Sequence, residues 1–158
     1  MRIDEAADAA VVRLMREADL PAIVEIDAIS SGRRRPRYFE LMLQRAITQP
    51  ALDVSLVAET DGRVSGFLVA SLYYGEYGLA EPSASIDAIG VSPEHRNKGV
   101  GTAMIRQLLL NLGALRIDSI RTEVEWSDFD LLAFLHHAGF RPSRRMCLER
   151  RVDPTEQL

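Results

Sequence analysis

Val91-Ser92-Pro93-Glu94-His95-Arg96-Asn97-Lys98-Gly99-Val100-Gly101 is the stretch whose reading decides the fold. It follows an apolar, strand-like segment, Ile86 to Val91, and runs into a segment where Met104, Ile105, Leu108, Leu109 and Leu112 recur at helical spacing. A strand therefore passes to a helix through a basic, glycine-bearing turn. The first amides of a helix have no intrahelical acceptor, and the helix dipole adds about half a positive charge at that end. Gly99 and Gly101 let an anion approach the backbone closely, and Arg96 and Lys98 add charge.

Several glycine motifs bind phosphate, and the residues discriminate between them. A Walker loop needs a lysine directly after its last glycine, whereas Lys98 precedes Gly99. A dinucleotide fingerprint needs a small residue where Met104 stands, which leaves a nucleotide-dependent oxidoreductase as a lesser alternative. The run Arg96-Asn97-Lys98-Gly99-Val100-Gly101 does resemble the R/Q-x-x-G-x-G/A signature of the GNAT superfamily of acyl-CoA N-acyltransferases. The preceding Ile89-Gly90-Val91-Ser92-Pro93-Glu94 and the apolar helix that follows match that family as well. So does Asp128 to Phe140, which looks like its penultimate helix ending in Gly-Phe.

The resemblance implies an acetyl-CoA-dependent N-acetyltransferase acting on a primary amine of a small molecule or peptide by direct attack. Ile89, Gly90 and Val91 would meet the pantetheine arm and polarise the thioester carbonyl. Arg96, Asn97, Lys98, Gly99, Val100, Gly101 and Thr102 would hold the pyrophosphate. Asp128 stands where the family often has a cofactor-contacting asparagine, although as the first residue of a helix it also suits an N-cap. Leu135 occupies the position where the family often has a proton-donating tyrosine. The adjacent His136 and His137 and the loop tyrosines Tyr73, Tyr74 and Tyr77 are the substitutes, with His136 the nominated one.

Chemistry ranks these needs. An amine of pKa about 10.4 is neutral about one part in a thousand near neutral pH, a cost of about 4 kcal/mol, whereas a thiol of pKa about 8.5 leaves as thiolate with little help. The base matters more than the acid. Asp87 is the only carboxylate on the strand before the signature and lies where many family members have a glutamate; simple alternation would put it on the face of Ile89 and Val91. Its short side chain implies an intervening water. Glu76 and Glu81, in the preceding loop, are the reserves. An acyl-CoA sensor without activity is the alternative that Leu135 and the aspartate for glutamate leave open.

Composition bounds the rest. A chain of 158 residues with 47% apolar residues suits one domain with its own core. The expected division is a leader over 1–9, a single N-acetyltransferase domain over 10–153 and a polar tail over 154–158. No apolar run reaches the roughly 18 residues of a membrane span and no secretory segment opens the chain, so a cytoplasmic location is expected. The net charge of −4 argues against nucleic acid. A single cysteine, Cys147, excludes an internal disulfide and a clustered-thiolate metal site, and its apolar neighbours suggest burial. No metal is expected. Lys98 is the single lysine among 19 basic residues, and Arg33, Arg34, Arg35 and Arg37 form a block beside the expected acceptor site. A solvated face or a carboxylate-bearing acceptor would each explain that block.

Element signals give strands over 10–16, 53–59, 64–72, 85–91, 119–126 and 145–152, and helices over 19–29, 37–48, 99–112 and 128–138, with Thr60-Asp61-Gly62-Arg63 as a hairpin turn. Strand–helix alternation mixed with hairpins predicts an α/β (α+β) fold, a mixed, mostly antiparallel central sheet with helices on both faces. Family members commonly end in a two-strand hairpin, for which too few residues remain. A homodimer covering the resulting sheet edge is the corresponding expectation. Trp126 suits the core or the pantetheine slot.

Overall fold

The computed structural model describes residues 10–75, 78 and 80–155. They belong to two compact units, Met1–Glu123 and Val124–Leu158. The expected leader and part of the expected tail lie outside the described residues.

In the first unit, β1 (Ala10–Leu14), β2 (Leu56–Thr60), β3 (Arg63–Tyr73), β4 (Ser83–Val91) and β5 (Ile120–Thr122) form one sheet in that spatial order. The first three pairings are antiparallel and β4–β5 is parallel. Helices α1 (Leu20–Ser31) and α2 (Pro36–Thr48) precede β2, and α3 (Val100–Ala114) links β4 to β5. The β2–β3 turn forms as its sequence predicts: Thr60 pairs with Arg63, and Asp61 and Gly62 take φ of 51° and 75°, the two positive values that a two-residue hairpin of matching twist requires.

Alternation along β3 separates two faces. Phe67 and Val69, with Val57 of β2, pack against Ile23, Val24 and Ile26 of α1 and Phe39 of α2, and Phe39 meets Phe67 edge-to-face at 5.4 Å. Gly66 lies on the opposite face, where a Cβ would come within 2.9 Å of Met104 and 3.0 Å of Val100, so its bare backbone lets α3 lie close to the sheet. The faces are clamped at β1 by Arg13, whose guanidinium donates to both carboxylate oxygens of buried Asp19 at 2.8 and 2.7 Å and to Glu59 at 2.8 Å. Asp19 precedes α1, and its side chain serves Arg13 and the Arg16 N–H rather than capping α1. Burial disfavours its charge, and those hydrogen bonds outweigh burial, holding its pKa below the ordinary value.

The second unit contains α4 (Phe129–His137). Asp128 caps it by accepting from the Leu131 N–H at 3.1 Å. Gly139, at φ 95°, ends it: the Gly139 and Phe140 amides return to the His136 and Leu135 carbonyls, which gives the Gly-Phe pair a physical role as a left-handed helix stop.

Four expectations are corrected. The strand expected over 145–152 does not form; residues 141–155 are exposed and outside regular structure, because apolar alternation at Met146, Leu148 and Val152 cannot make a strand without a ladder partner. Cys147 is exposed with it. Trp126 is 92% exposed rather than in the core, and the strand expected over 119–126 shrinks to Ile120–Thr122. Among the described residues no helix is long and apolar enough to cross a membrane.

Candidate active site

The register of β3 on β4 is in phase from Gly66↔Val91 to Val69↔Ala88 and then slips, with Ala70 opposite Ile86. Asp87 is the extra residue, a β-bulge that breaks alternation. It corrects the expected placement of Asp87 with Ile89 and Val91. Ile89 pairs with Leu68, on the α3 face, whereas Asp87 turns to the α1–α2 face with Ser71 and Ser85. There Ser71 Oγ donates to one carboxylate oxygen at 3.0 Å and Ser85 Oγ to the other at 3.1 Å. Both oxygens are held, and the residue is still exposed.

Tyr38 lies within reach of this carboxylate's charge. Tyr38 is pushed above the usual phenol range, first by burial and then by the Asp87 charge, with Arg35 acting against both. Arg35 lies 5.1 Å over the Tyr38 ring while it makes two hydrogen bonds, of 2.9 and 2.6 Å, to buried Asp27. Three arginines of the exposed block are thus paired within the chain: Arg34 with Glu25, Arg35 with Asp27 and Arg37 with Glu40. None of Ser71, Ser85 or Tyr38 was legible as a site residue, since nothing in a linear pattern announces a bulge.

The phase of the ladder shows what the other edge of β4 offers. Ser92 N–H donates to Ser65 O at 2.8 Å, so by the antiparallel alternation Gly90 and Ala88 also bond to β3, and the N–H and C=O groups of Ile89 and Val91 point the other way. On that side β5 covers only Ala84 to Ile86, where Thr122 Oγ1 donates to Ile86 O at 2.9 Å. Among the described residues no strand pairs with β4 beyond that point. The Val91 carbonyl takes Arg96 Nε at 3.3 Å.

At the end of β4, Pro93–His95 forms a single 3₁₀ turn steadied by Ser92 Oγ on His95 Nδ1 at 3.0 Å. Asn97 (φ 59°) and Gly99 (φ 80°) are left-handed, and α3 starts directly after Gly99 without a side-chain cap. Ala103 N–H returns to Gly99 O, but among the described residues no protein acceptor meets the amides of Val100, Gly101 or Thr102. Lys98 is exposed beside them. Arg96, expected at the anion, has its Nη2 on Ser30 Oγ at 3.0 Å and so ties the turn to the end of α1.

Glu76 and Tyr77 lie outside the described residues. Asp128, Leu135 and His136 belong to the second unit: Asp128 is occupied as the N-cap, Leu135 is buried, and His136 is exposed with Arg141 Nη1 at 3.4 Å from Nδ1. His137 Nδ1 bonds Ala133 O at 2.7 Å. Among the described residues no group of three or more His, Cys, Asp or Glu side chains could hold a metal.

A comparison with curated proteins finds no match. Among solved structures, the aminoglycoside antibiotic 6'-N-acetyltransferase AAC(6')-Ih from Acinetobacter baumannii is 20% identical with a TM-score of 0.76, covering 91% of this chain and 99% of that one. A ribosomal-protein-alanine N-acetyltransferase from Brucella melitensis biovar Abortus 2308 is 20% identical with a TM-score of 0.73, over 92% of this chain and 100% of that one. The aminoglycoside N-acetyltransferase AAC(6')-Iy in complex with CoA is 18% identical with a TM-score of 0.72, over 90% and 94%. At these identities the likeness establishes the fold. Residues 20–140 match the Acetyltransferase (GNAT) family, a span that contains α1, the bulged strand, the signature turn and α4, and the chain belongs to that family.

Proposed function

We propose that the protein is an acetyl-CoA-dependent N-acetyltransferase that acetylates a primary amine by direct attack, within a single catalytic domain over 10–153. The carrying observation is the row of unclaimed donors where β4 meets α3. Among the described residues the amides of Val100, Gly101 and Thr102 have no protein acceptor, and those of Ile89 and Val91 face away from β3. The first group suits a diphosphate at a helix N-terminus. The second suits an extended amide-bearing arm laid along β4 like a further strand, with an N–H left to polarise a carbonyl. Acetyl-CoA supplies the activated acyl group and a thiolate that leaves readily.

The chain's residues then do the following. Asp87, its oxygens set by Ser71 and Ser85, accepts a proton from the incoming ammonium through a water, because only the neutral amine attacks. Leu135 offers no proton, and none is essential at that end of the reaction. The supporting geometry for Asp87 is its bulge, which turns the carboxylate toward the α1–α2 face while the carbonyl-polarising amides stay at the strand edge.

Isothermal titration with acetyl-CoA tests this reading. Binding in the micromolar range is expected, with affinity lost when Gly101→Pro removes one donor N–H and distorts the first turn. No heat and no thermal protection at millimolar acetyl-CoA would sink it. An acyl-CoA sensor is the second reading, favoured by Leu135; it predicts binding without thiol release in the presence of any amine.

A further inference from the structure

Arg45, in the last turn of α2, differs from Arg34, Arg35 and Arg37. Arg34, Arg35 and Arg37 each meet a carboxylate, whereas half-buried Arg45 meets none among the described residues. Its guanidinium lies 5.7 Å from the centroid of the Tyr73 ring. It also lines a small cavity between α2 and β3, together with Asp53, Val69 and Ser71. Asp53 is already engaged, accepting from Ser55 Oγ at 2.7 Å. Ser71 is the hydroxyl that holds Asp87. The cavity thus has on its α2 wall a guanidinium that makes no ion pair among the described residues, and one of its lining serines also holds the carboxylate assigned to the amine.

A guanidinium kept partly from water without an anion is unfavourable until an anion arrives, and its planar fork matches a carboxylate at two points. We propose that Arg45 recognises a carboxylate on the acceptor, so that the substrate class is amino acids and related amines carrying a carboxylate, with the amine at Asp87 and the anion at Arg45. This rests on the N-acetyltransferase reading for its chemistry, but the subsite itself is a property of the α2–β3 cavity. The same arginine disfavours polycationic acceptors of the aminoglycoside kind, which need acidic walls.

Ligand-observed NMR titrations, without acetyl-CoA, test the subsite on the full chain. The probes are L-lysine against cadaverine, L-ornithine against putrescine and L-tyrosine against tyramine, each pair differing by one carboxylate. In the wild type at least one amino acid should bind ten-fold or more tightly than its decarboxylated partner. Arg45→Met should bring that pair to within about two-fold, and Arg45→Lys, which keeps charge but loses the fork, should fall between. The proposal is overturned if the amines bind as well as the amino acids, if Arg45→Met keeps the preference, or if no amino acid binds. A parallel acetyl-CoA titration separates the two readings: a persisting carboxylate preference with no acetyl-CoA binding would refute the activity and leave the subsite standing.

Discussion

Replacing Gly90 by alanine tests how closely β4 and the α1 face are packed. A Cβ built at Gly90 lies 2.6 Å from Phe67 Cε1, 3.1 Å from Cζ and 3.3 Å from Ile26 Cγ2. Ordinary carbon contacts sit at about 3.5–4.0 Å, so the ring must retreat by about 1 Å. Phe67 is fully buried and held edge-on by Phe39 at 5.4 Å, and Ile23 and Val57 beside it are fully buried too. Overpacking of this kind costs about 1–3 kcal/mol, from which the reduced chain entropy of alanine returns about 0.4–1 kcal/mol. A net loss of about 1–2 kcal/mol should lower Tm by about 2–8 °C in a chain of this size. Thermal and urea unfolding followed by circular dichroism measure it. Phe67→Leu in the same background should recover part of the loss, because it removes the ring edge that the new methyl meets. A Gly90→Ala protein with wild-type Tm, or a double variant whose losses simply add, would refute the packing argument.

Asp87→Asn should keep the approach geometry, since Ser71 and Ser85 hydroxyls can donate or accept, while removing the base. Thiol release with the best acceptor of an amine panel should fall about 100- to 10 000-fold in kcat/KM, with acetyl-CoA affinity unchanged by titration; a loss under ten-fold would count against Asp87. Asp19 carries the acid sensitivity of the first unit. Its pKa is lowered in the folded state, so the stability it contributes is fully present above the unfolded value, about 3.9, and is lost as pH falls through the folded value. Asp19→Asn should cost about 1–3 kcal/mol near neutrality, and its Tm deficit against the wild type should narrow only below about pH 4. An unchanging deficit down to pH 2 would contradict that assignment.

Much of this fold can be read along the chain because its signals are local. Asp61-Gly62 demands a two-residue hairpin whatever surrounds it, and Met104, Ile105, Leu108 and Leu112 demand a helix with one buried stripe. The turn from Val91 to Gly101 is legible for the same reason: glycine positions and unpaired helix-start amides are backbone properties. Tertiary structure decided what depends on a neighbour. The bulge that carries Asp87 to the α1–α2 face exists only as a mismatch between two strands, so alternation along β4 alone pointed it the wrong way. That Arg96 also reaches Ser30, 66 residues away, at 3.0 Å is visible only in the fold. The alternating apolar residues from Met146 to Val152 read as a strand, yet a strand is a relation between two chains of hydrogen-bonding groups, and no ladder partner meets them among the described residues. What a residue is follows from the sequence; which groups it faces follows only from how distant segments pack.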